Sequence, residues 1–341
     1  MTRLFSACVL TSLRYLRHSV VGTVLHRIIS RATYARERRA VAAGLAQYRS
    51  MRDVTRTNPL LRRNVHRLEK GLVMQPRKAV FAEDYIHETV RAYAQALQVP
   101  DFDSAELQWA GAVLAAYFAA LTNVPSLASL RDEYHALASV QPAHPSAVPR
   151  AQHSLPKAEV SFADFHALCR QRRSVRWFTR EAVPRALIDQ AVSAALEAPS
   201  ACNRQPLFFR YIDEPAEAVR VASIAMGTAG YAHNISALMV VLGDLSAFES
   251  ARDRHLIYID GALVAMQLML ALETLGLSSC PINWPDIEML ERQMDRALEL
   301  PRHIRPVMLL AIGYADPMGG VPYSAKKSSH SLLRTHNDYA S

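Results

Sequence analysis

A long apolar segment, Leu256–Leu277, limits how the second half of this chain can fold. Gly276 closes it, as glycine commonly closes a helix, and the polar residues Asp260, Gln267 and Glu273 interrupt it. These features predict a buried helix of a soluble protein rather than a membrane span. Four strand candidates surround the segment: Leu207–Ile212, Leu238–Gly243, Ser278–Ile282 and Val307–Gly313. Strands and helices mixed around one apolar helix predict an α+β fold, in which helices cover a sheet.

Two polar runs precede the first strand candidate. The first, Arg172–Phe178, places three arginines and a serine on a predicted turn between two helices. Arginine suits phosphate because its planar guanidinium donates two parallel hydrogen bonds and stays charged. The second run, Ala198–Pro206, follows a helix that must end near Pro199. Its hydroxyl and amide side chains, which can recognise the edge of a polar heterocycle, belong to Ser200, Asn203 and Gln205. Together the runs predict a nucleotide-like ligand.

In this order, the two runs resemble the motifs of the flavin-dependent nitroreductase superfamily, an R-R-S-x-R turn followed by an A-P-S-x-x-N-x-Q-P loop. The resemblance covers roughly residues 160–335. It implies a nitroreductase-like, helix-flanked, mainly antiparallel sheet, here preceded by an all-α N-terminal region. It also implies an intertwined homodimer, and Leu256–Leu277 resembles the central helix of such a dimer.

The resemblance also implies which residues bind FMN. The residues expected to bind the phosphate and the ribityl group are Arg172, Arg173, Ser174 and Arg176, and Arg176 would also lie near the ring. Those expected to contact the ribityl chain and the isoalloxazine are Pro199, Ser200, Asn203 and Gln205. Further groups come from the strand candidate that ends at Ile282 and the loop after it, with Asn283 and Trp284, where backbone N–H groups would lie near flavin N5. A basic residue after the last strand, Lys326 or Lys327, completes the set. Because the family usually builds this site from both subunits, these positions would meet only in a dimer.

Simpler explanations exist for several of these residues. The arginines could be surface charge, and Asn203 and Gln205 could cap turns. Trp284 suits core or dimer-interface packing as well as a wall of a flavin pocket. Lys326 and Lys327 lie in a C-terminal tail that could be mobile.

By the resemblance, the protein is an FMN-dependent NAD(P)H oxidoreductase. Hydride would pass from NADH or NADPH through the flavin to an electron-poor organic acceptor, such as a nitroaromatic, a quinone or an enone. No catalytic side chain and no metal are required, and the sequence has no HExxH, GxSxG, P-loop or GxGxxG pattern. Typical family members have about the length of the second half alone. The alternative is therefore a weakly flavin-binding or non-catalytic scaffold protein at a membrane-associated biosynthetic assembly.

The first half of the chain is predicted to be a basic helical extension over residues 1–138. A proline-rich linker, 139–158, would join it to a flavin domain over 159–341. Residues 1–78 hold seventeen Lys or Arg and only three acidic residues, which suits an anionic surface. Residues 1–31 could form an amphipathic helix on a membrane, or one docked on the chain itself or its dimer mate. Nucleic acid is a poor candidate because the arm has little aromatic interleaving and no recognised motif.

Within the extension, helices are predicted over 34–56 and 60–72, followed by three more over 82–138. Leu61, Val65, Leu68 and Leu72 form the apolar stripe of the second helix. His66, Glu69 and Lys70 are close enough to form a site, but the favoured interpretation is a docked helix on which they and Arg62 form a solvated charged face. No chemistry is predicted for 82–138. The four cysteines form no CxxC pair, which favours a reducing compartment. The predicted location is the cytoplasm, including the inner membrane surface if residues 1–31 bind lipid.

Overall fold

The computed structural model describes residues 34–50, 56–121, 124–138 and 147–333. The predicted amphipathic helix of residues 1–31 and its membrane contact lie outside the described residues, as does part of the predicted linker. Of that linker, residues 147–158 are described, and they contain only one short 3-10 turn, Gln152–Ser154.

Residues 34–138 are called the helical half below, and their described parts form five α-helices. They are α1 (Ala35–Ser50), α2 (Pro59–Leu72), α3 (Ile86–Ala96), α4 (Ser104–Ala120) and α5 (Ala128–Ala138). Helices α2 to α5 share one core, whose largest side chains include Tyr93, Tyr117, Phe118 and Tyr134. The predicted apolar stripe of α2 is confirmed, since Leu61, Val65 and Leu68 are fully buried and Leu72 is partly buried.

Asn58 and Asp103 each cap the start of a helix. Asn58 precedes α2, and its Oδ1 accepts hydrogen bonds from the N–H groups of Leu60 and Leu61. Asp103 precedes α4, and its Oδ1 accepts from the N–H of Glu106 at 2.8 Å. Both satisfy N–H groups that have no partner within the helix, which fixes where each helix begins.

Residues 159–333, called the sheet half below, contain the other helices and all four strands of the described residues. The helices are α6 (Phe162–Gln171), α7 (Arg185–Ala195), α8 (Pro215–Ala222), α9 (Leu256–Thr274), α10 (Glu288–Leu298) and α11 (Ser329–Leu332). The strands are β1 (Leu207–Ile212), β2 (Ala237–Asp244), β3 (Ser278–Asn283) and β4 (Ile304–Gly313). They pair antiparallel in the order β1-β2-β4-β3, so the predicted α+β fold with a helix-flanked antiparallel sheet is confirmed.

Helices cover both faces of this sheet. Along β2, Leu238, Val240 and Leu242 pack with α8 and α10, while Met239 and Val241 pack with α7 and α9. Because successive strand side chains point to opposite faces, a strand buried on both faces is apolar throughout. By length and composition the helical stretch Ala251–Thr274 could cross a membrane, but here 44% of its most apolar window is buried inside the protein.

Strand β4 begins at Ile304, three residues before the predicted start at Val307. Pro306 lies inside it, and proline usually argues against a central strand because it has no N–H to donate. Here the pairing register with β2 shifts between Val241 and Leu242, and β3 pairs only with Met308–Gly313. Because the pairing with β3 ends at Met308, Pro306 has only β2 as a neighbouring strand within the described chain, and its missing N–H leaves no partner unsatisfied on the other side.

The two halves are in extensive contact. Helix α1 packs through Ala40 and Val41 on the cluster that contains Leu245 and Phe248. Gly44 permits this approach, because a Cβ there would lie 2.6 Å from the carbonyl oxygen of Leu245. Two sets of ion pairs add to the packing: Arg36 contacts Glu288 and Asp295 at 2.8 and 2.7 Å, and both terminal nitrogens of Arg63 contact Glu249 at 2.7 Å.

The contact between α1 and α10 should weaken in acid. Hydrogen bonding by Arg36 holds the pKa of Glu288 at about 2, well below the ordinary value of 4.5, and Arg292 acts in the same direction. The Glu288 carboxylate therefore stabilises the folded state above pH 4.5, and that contribution is lost as the pH falls towards 2. Urea unfolding should show wild type more stable than Glu288→Gln at about pH 6, with a smaller difference at about pH 3. An unchanged difference would contradict the assignment.

Candidate functional site

The second polar run forms a tight loop, Pro199–Gln205, called the amide-rich loop below. Cys202, Asn203 and Gln205 have φ values of 54°, 51° and 50°, a left-handed conformation that costs free energy for residues with a Cβ. Polar contacts inside the loop offset part of this cost. Ser200 Oγ accepts from the N–H of Gln205 at 3.0 Å, and Gln205 Nε2 donates to Asn203 Oδ1 at 3.1 Å.

Residues from both halves also contact the amide-rich loop. From the sheet half, Asp260 Oδ2 accepts from the N–H of Ala201 at 3.1 Å. Burial raises the pKa of Asp260, while the Ala201 N–H and the charge of Arg204 act to lower it. From the helical half, Arg62 Nε donates to the carbonyl oxygen of Asn203 at 2.9 Å. The loop is thus fixed on one side by α9 and on the other by α2.

A cavity of about 480 Å³ lies between the two halves at this loop. Four polar residues of the helical half line it: Thr57, Arg62, Asp103 and Glu106. The loop contributes Pro199, Ser200 and Gln205, and apolar walls come from residues such as Ile188, Val192, Phe208 and Val264. Its volume and its mixture of apolar walls with a few polar groups suit a small organic molecule.

The first polar run, Arg172–Arg176, called the arginine turn below, lies beside β3. The N–H of Val175 donates to the carbonyl oxygen of Ser279 at 3.1 Å, and Ser174 forms an isolated parallel β-bridge with Ser279. The guanidinium of Arg173 contacts the carbonyl oxygens of Pro322 and Tyr323, shortly before the exposed Lys326 and Lys327. The turn and the segment with the two predicted lysines are therefore neighbours.

The charge around the arginine turn is only partly compensated. Arg172 Nε is buried and has no hydrogen-bond partner among the described residues. Burial raises the pKa of Glu273, while Gln171, Arg172 and the backbone N–H of Arg173 act to lower it. Arg176 lies with its guanidinium carbon 5.7 Å from the ring centroid of Tyr231. The turn thus keeps hydrogen-bonding capacity for an anion in a partly desolvated position.

Ile282 and Asn283 are the last two residues of β3, and Trp284 follows the strand; the three side chains differ in accessibility. Ile282 is buried in the core, and Trp284 is also buried, with its Nε1 donating to Glu291 Oε1 at 2.7 Å. Of the two roles open to Trp284, packing is the one its side chain has in this chain. Asn283 is exposed. Any part that Ile282 or Trp284 plays in binding a ligand therefore falls to their backbone groups.

Helix α9 separates the arginine turn from the amide-rich loop. Asp260, near the start of the helix, contacts the loop, whereas Glu273, near its end, contacts Gln171 beside the turn. Thirteen residues of helix correspond to a rise of about 20 Å. One chain thus places the two predicted groups at opposite ends of the same helix rather than side by side.

The comparisons with known proteins concern the sheet half. The model of the nitroreductase family matches residues 169–233 and 230–314, a stretch that contains both polar runs. This part of the chain belongs to the nitroreductase family. The Bacillus subtilis protein YdgI, named for a proposed NAD(P)H nitroreductase activity, is 28% identical over 198 residues, which is 47% of this chain and 92% of that protein. A Thermus thermophilus NADH dehydrogenase is 26% identical over 194 residues, 48% of this chain and 92% of that protein.

Among solved structures, an FMN-dependent nitroreductase from Clostridium difficile is 20% identical and superposes with a TM-score of 0.43. The superposition covers 50% of this chain and 98% of that one. The matches to YdgI and to the Thermus protein cover 92% of each relative, whereas about half of this chain lies outside them. The nitroreductase-family half therefore carries, in front of it, a helical half that these comparisons do not describe.

Sequence reasoning misses the contribution of the helical half to the site. The interpretation of Arg62 as part of a solvated charged face is wrong, because its side chain is only 14% exposed. The sequence predicts no chemistry for 82–138, yet Asp103 and Glu106 line the cavity. The helical periodicity does place Arg62 next to the buried stripe of α2. It carries no signal for a contact with a residue 141 positions away.

Proposed function

We propose that this protein is an FMN-dependent oxidoreductase that transfers hydride from NADH or NADPH to an electron-poor organic acceptor such as a nitroaromatic, a quinone or an enone. One observation carries the proposal: the nitroreductase-family match spans both the arginine turn and the amide-rich loop. The oxidoreductase names of YdgI and the Thermus protein support the same class of reaction.

The residues present fit FMN. Arg172 retains a buried, unpartnered Nε donor among the described residues, and Arg173, Ser174 and Arg176 lie on the same turn, so the phosphate would be held there. The amide groups of Asn203 and Gln205, with Ser200, would contact the ribityl chain and the ring. When bound, FMN supplies the hydride chemistry, and this chain supplies position and charge. Lys326 and Lys327 would add positive charge beside the turn, in the segment that Arg173 contacts.

The site would be completed by a second copy of the chain. Helix α9 exposes an apolar stripe of Ile259, Leu263 and Met266, with exposed fractions of 52%, 44% and 39%. If two copies packed through this stripe with their α9 helices antiparallel, the arginine turn of one copy would approach the amide-rich loop of the other. The separation of about 20 Å within one chain supports this arrangement, because it leaves each group alone at its end of the helix.

The Leu263→Glu variant is expected to be monomeric and to bind FMN much more weakly than wild type. A carboxylate in the middle of the apolar stripe would be buried without a partner in the dimer. Light scattering and FMN fluorescence titration measure the two effects. Met289→Glu on α10 is the matched control, since Met289 is 63% exposed and lies off the stripe. A monomer with unchanged FMN affinity would refute the shared site.

The visible absorption spectrum tests the proposed activity directly. We expect the purified full-length protein to show flavin bands, or to acquire them with added FMN, and to lose them when NADH or NADPH is added without oxygen. A colourless protein that takes up no FMN would refute the oxidoreductase. The scaffold function would then be favoured, because the helical half offers a large surface without a match in the relatives.

We propose residues 1–138 as the helical extension, 139–158 as the linker and 159–341 as the flavin domain. The cytoplasm is the proposed compartment, since Cys169, Cys202 and Cys280 are free thiols. Peripheral membrane binding by residues 1–31 is a separate hypothesis. Flotation of full-length and 32–341 proteins with anionic vesicles tests it, and failure of both to bind would eliminate it.

A further inference from the structure

The contact between Arg62 and the amide-rich loop belongs to a buried network of hydrogen bonds and one ion pair. Glu106 is 3% exposed, and its Oε1 accepts from the N–H of Asn58 at 2.9 Å. Its Oε2 accepts from Thr57 Oγ1 and from an Arg62 terminal nitrogen at 2.9 Å. The guanidinium carbon of Arg62 also lies 5.3 Å from the ring centroid of Trp109. Contacts within the helical half therefore orient the Arg62 guanidinium independently of its bond to the loop.

The Nε of Arg62 donates to the carbonyl oxygen of Asn203, in the strained part of the amide-rich loop. Three residues with side chains hold left-handed backbone conformations there, and such conformations persist only where the surroundings stabilise them. The contacts inside the loop and the bond from Ala201 to Asp260 act from the sheet half. The Arg62 contact comes from the opposite side.

Several other contacts also dock the two halves. Arg63, the next residue on α2, makes a two-point ion pair with Glu249, and α1 is attached through Arg36 and its apolar face. The stretch that matches the nitroreductase family begins at residue 169 and does not include α2. The contact of Arg62 with Asn203 is thus a feature of this chain's own helical half, directed at one loop.

We propose that Arg62 is a positioning residue that holds the amide-rich loop in its ligand-binding conformation. The helical half is then a structural part of the flavin site. The statement about FMN rests on the proposed function, whereas the statement about the loop conformation does not.

The experiment compares Arg62→Gln with Arg63→Gln. Because Arg62→Gln leaves the buried Glu106 without its cation, the double variant Arg62→Gln with Glu106→Gln removes both charges and keeps the helical half foldable. The first readout is hydrogen–deuterium exchange of residues 199–206 without FMN. The loop N–H groups of Ala201, Asn203, Arg204 and Gln205 are all hydrogen-bonded, so a loosened loop must exchange faster. The second readout is FMN affinity by fluorescence titration.

We expect faster exchange in residues 199–206, and FMN affinity lower by about tenfold, in the double variant but not in Arg63→Gln. Unchanged exchange, or faster exchange with unchanged FMN affinity, would overturn the proposal. Equal effects of Arg63→Gln would also overturn it, since they would reduce Arg62 to one docking contact among several. A wild-type protein that binds no FMN would refute the proposed function, and the exchange data would still decide whether Arg62 positions the loop.

Discussion

The Arg172→Ala variant is expected to bind FMN about 30- to 100-fold more weakly than wild type, a loss of about 2–3 kcal/mol of binding free energy. Arg172 is the arginine of the turn whose Nε is buried without a partner among the described residues, so a phosphate oxygen would give it the hydrogen bond it lacks. A charged bond in a partly desolvated position is stronger than one in water. Fluorescence titration with FMN measures the loss.

Arg170→Ala is the matched control for this prediction. Arg170 lies two residues earlier, in the last turn of α6, and its side chain is exposed. Removing it takes away the same charge without touching the arginine turn, so only a weak, salt-dependent effect is expected. Equal losses in the two variants would indicate general electrostatic attraction rather than a phosphate site. The assignment of Arg172 would then be withdrawn.

Replacing Arg305 with methionine should lower the free energy of unfolding by about 3–5 kcal/mol. Arg305 is 2% exposed, and its Nη2 donates to Asp286 at 2.6 Å and to Glu291 at 3.2 Å. Glu291 is fully buried, and burial already raises its pKa, while Arg305, Trp284 and Arg36 act to lower it. Without Arg305 a buried carboxylate loses its nearest cation. Urea unfolding at neutral pH measures the change.

The double variant Arg305→Met with Glu291→Gln separates the cost of an unpaired charge from the loss of packing. The amide introduced by Glu291→Gln would still accept the hydrogen bond from Trp284 Nε1, but it carries no charge that needs a cation. We therefore expect the double variant to recover most of the stability that Arg305→Met loses. A double variant no more stable than the single one would show that the packing of Arg305, not its charge, matters.

Features that depend on local chemistry could be predicted from the sequence. The first strand has the predicted bounds, α2 begins one residue before the predicted position 60, and the stripe Leu61, Val65 and Leu68 is buried. Each follows from a rule that acts over a few residues, such as capping or helical periodicity. The residue types of the two polar runs likewise predict a phosphate-like and a heterocycle-like ligand, and this stays a prediction that the FMN titrations test.

Features that depend on distant contacts could not be predicted. Arg62 has the sequence environment of a solvated charge, and only the fold brings it to Asn203 and Glu106. The predicted β4 starts at Val307 and so excludes Pro306, whereas in the structure Pro306 pairs with Leu242 after a shift in register. That shift arises only when β2 and β4 pair, so neither strand's own sequence indicates it. The separation of the two polar runs by the length of α9 is likewise a property of packing and is not encoded in either run.

The bond between Arg62 and Asn203 joins positions 141 residues apart, and this has a consequence for biosynthesis. At about 5–20 residues per second, a ribosome finishes Asn203 about 7–28 s after Arg62. Helices α2 to α5 can therefore fold, with the Arg62 guanidinium already bonded to Glu106, before the loop that Arg62 contacts has been synthesised. Asp260, which contacts the loop from the other side, is synthesised only after Asn203, so the complete loop, and with it the proposed uptake of flavin, would require residues from both halves of the chain.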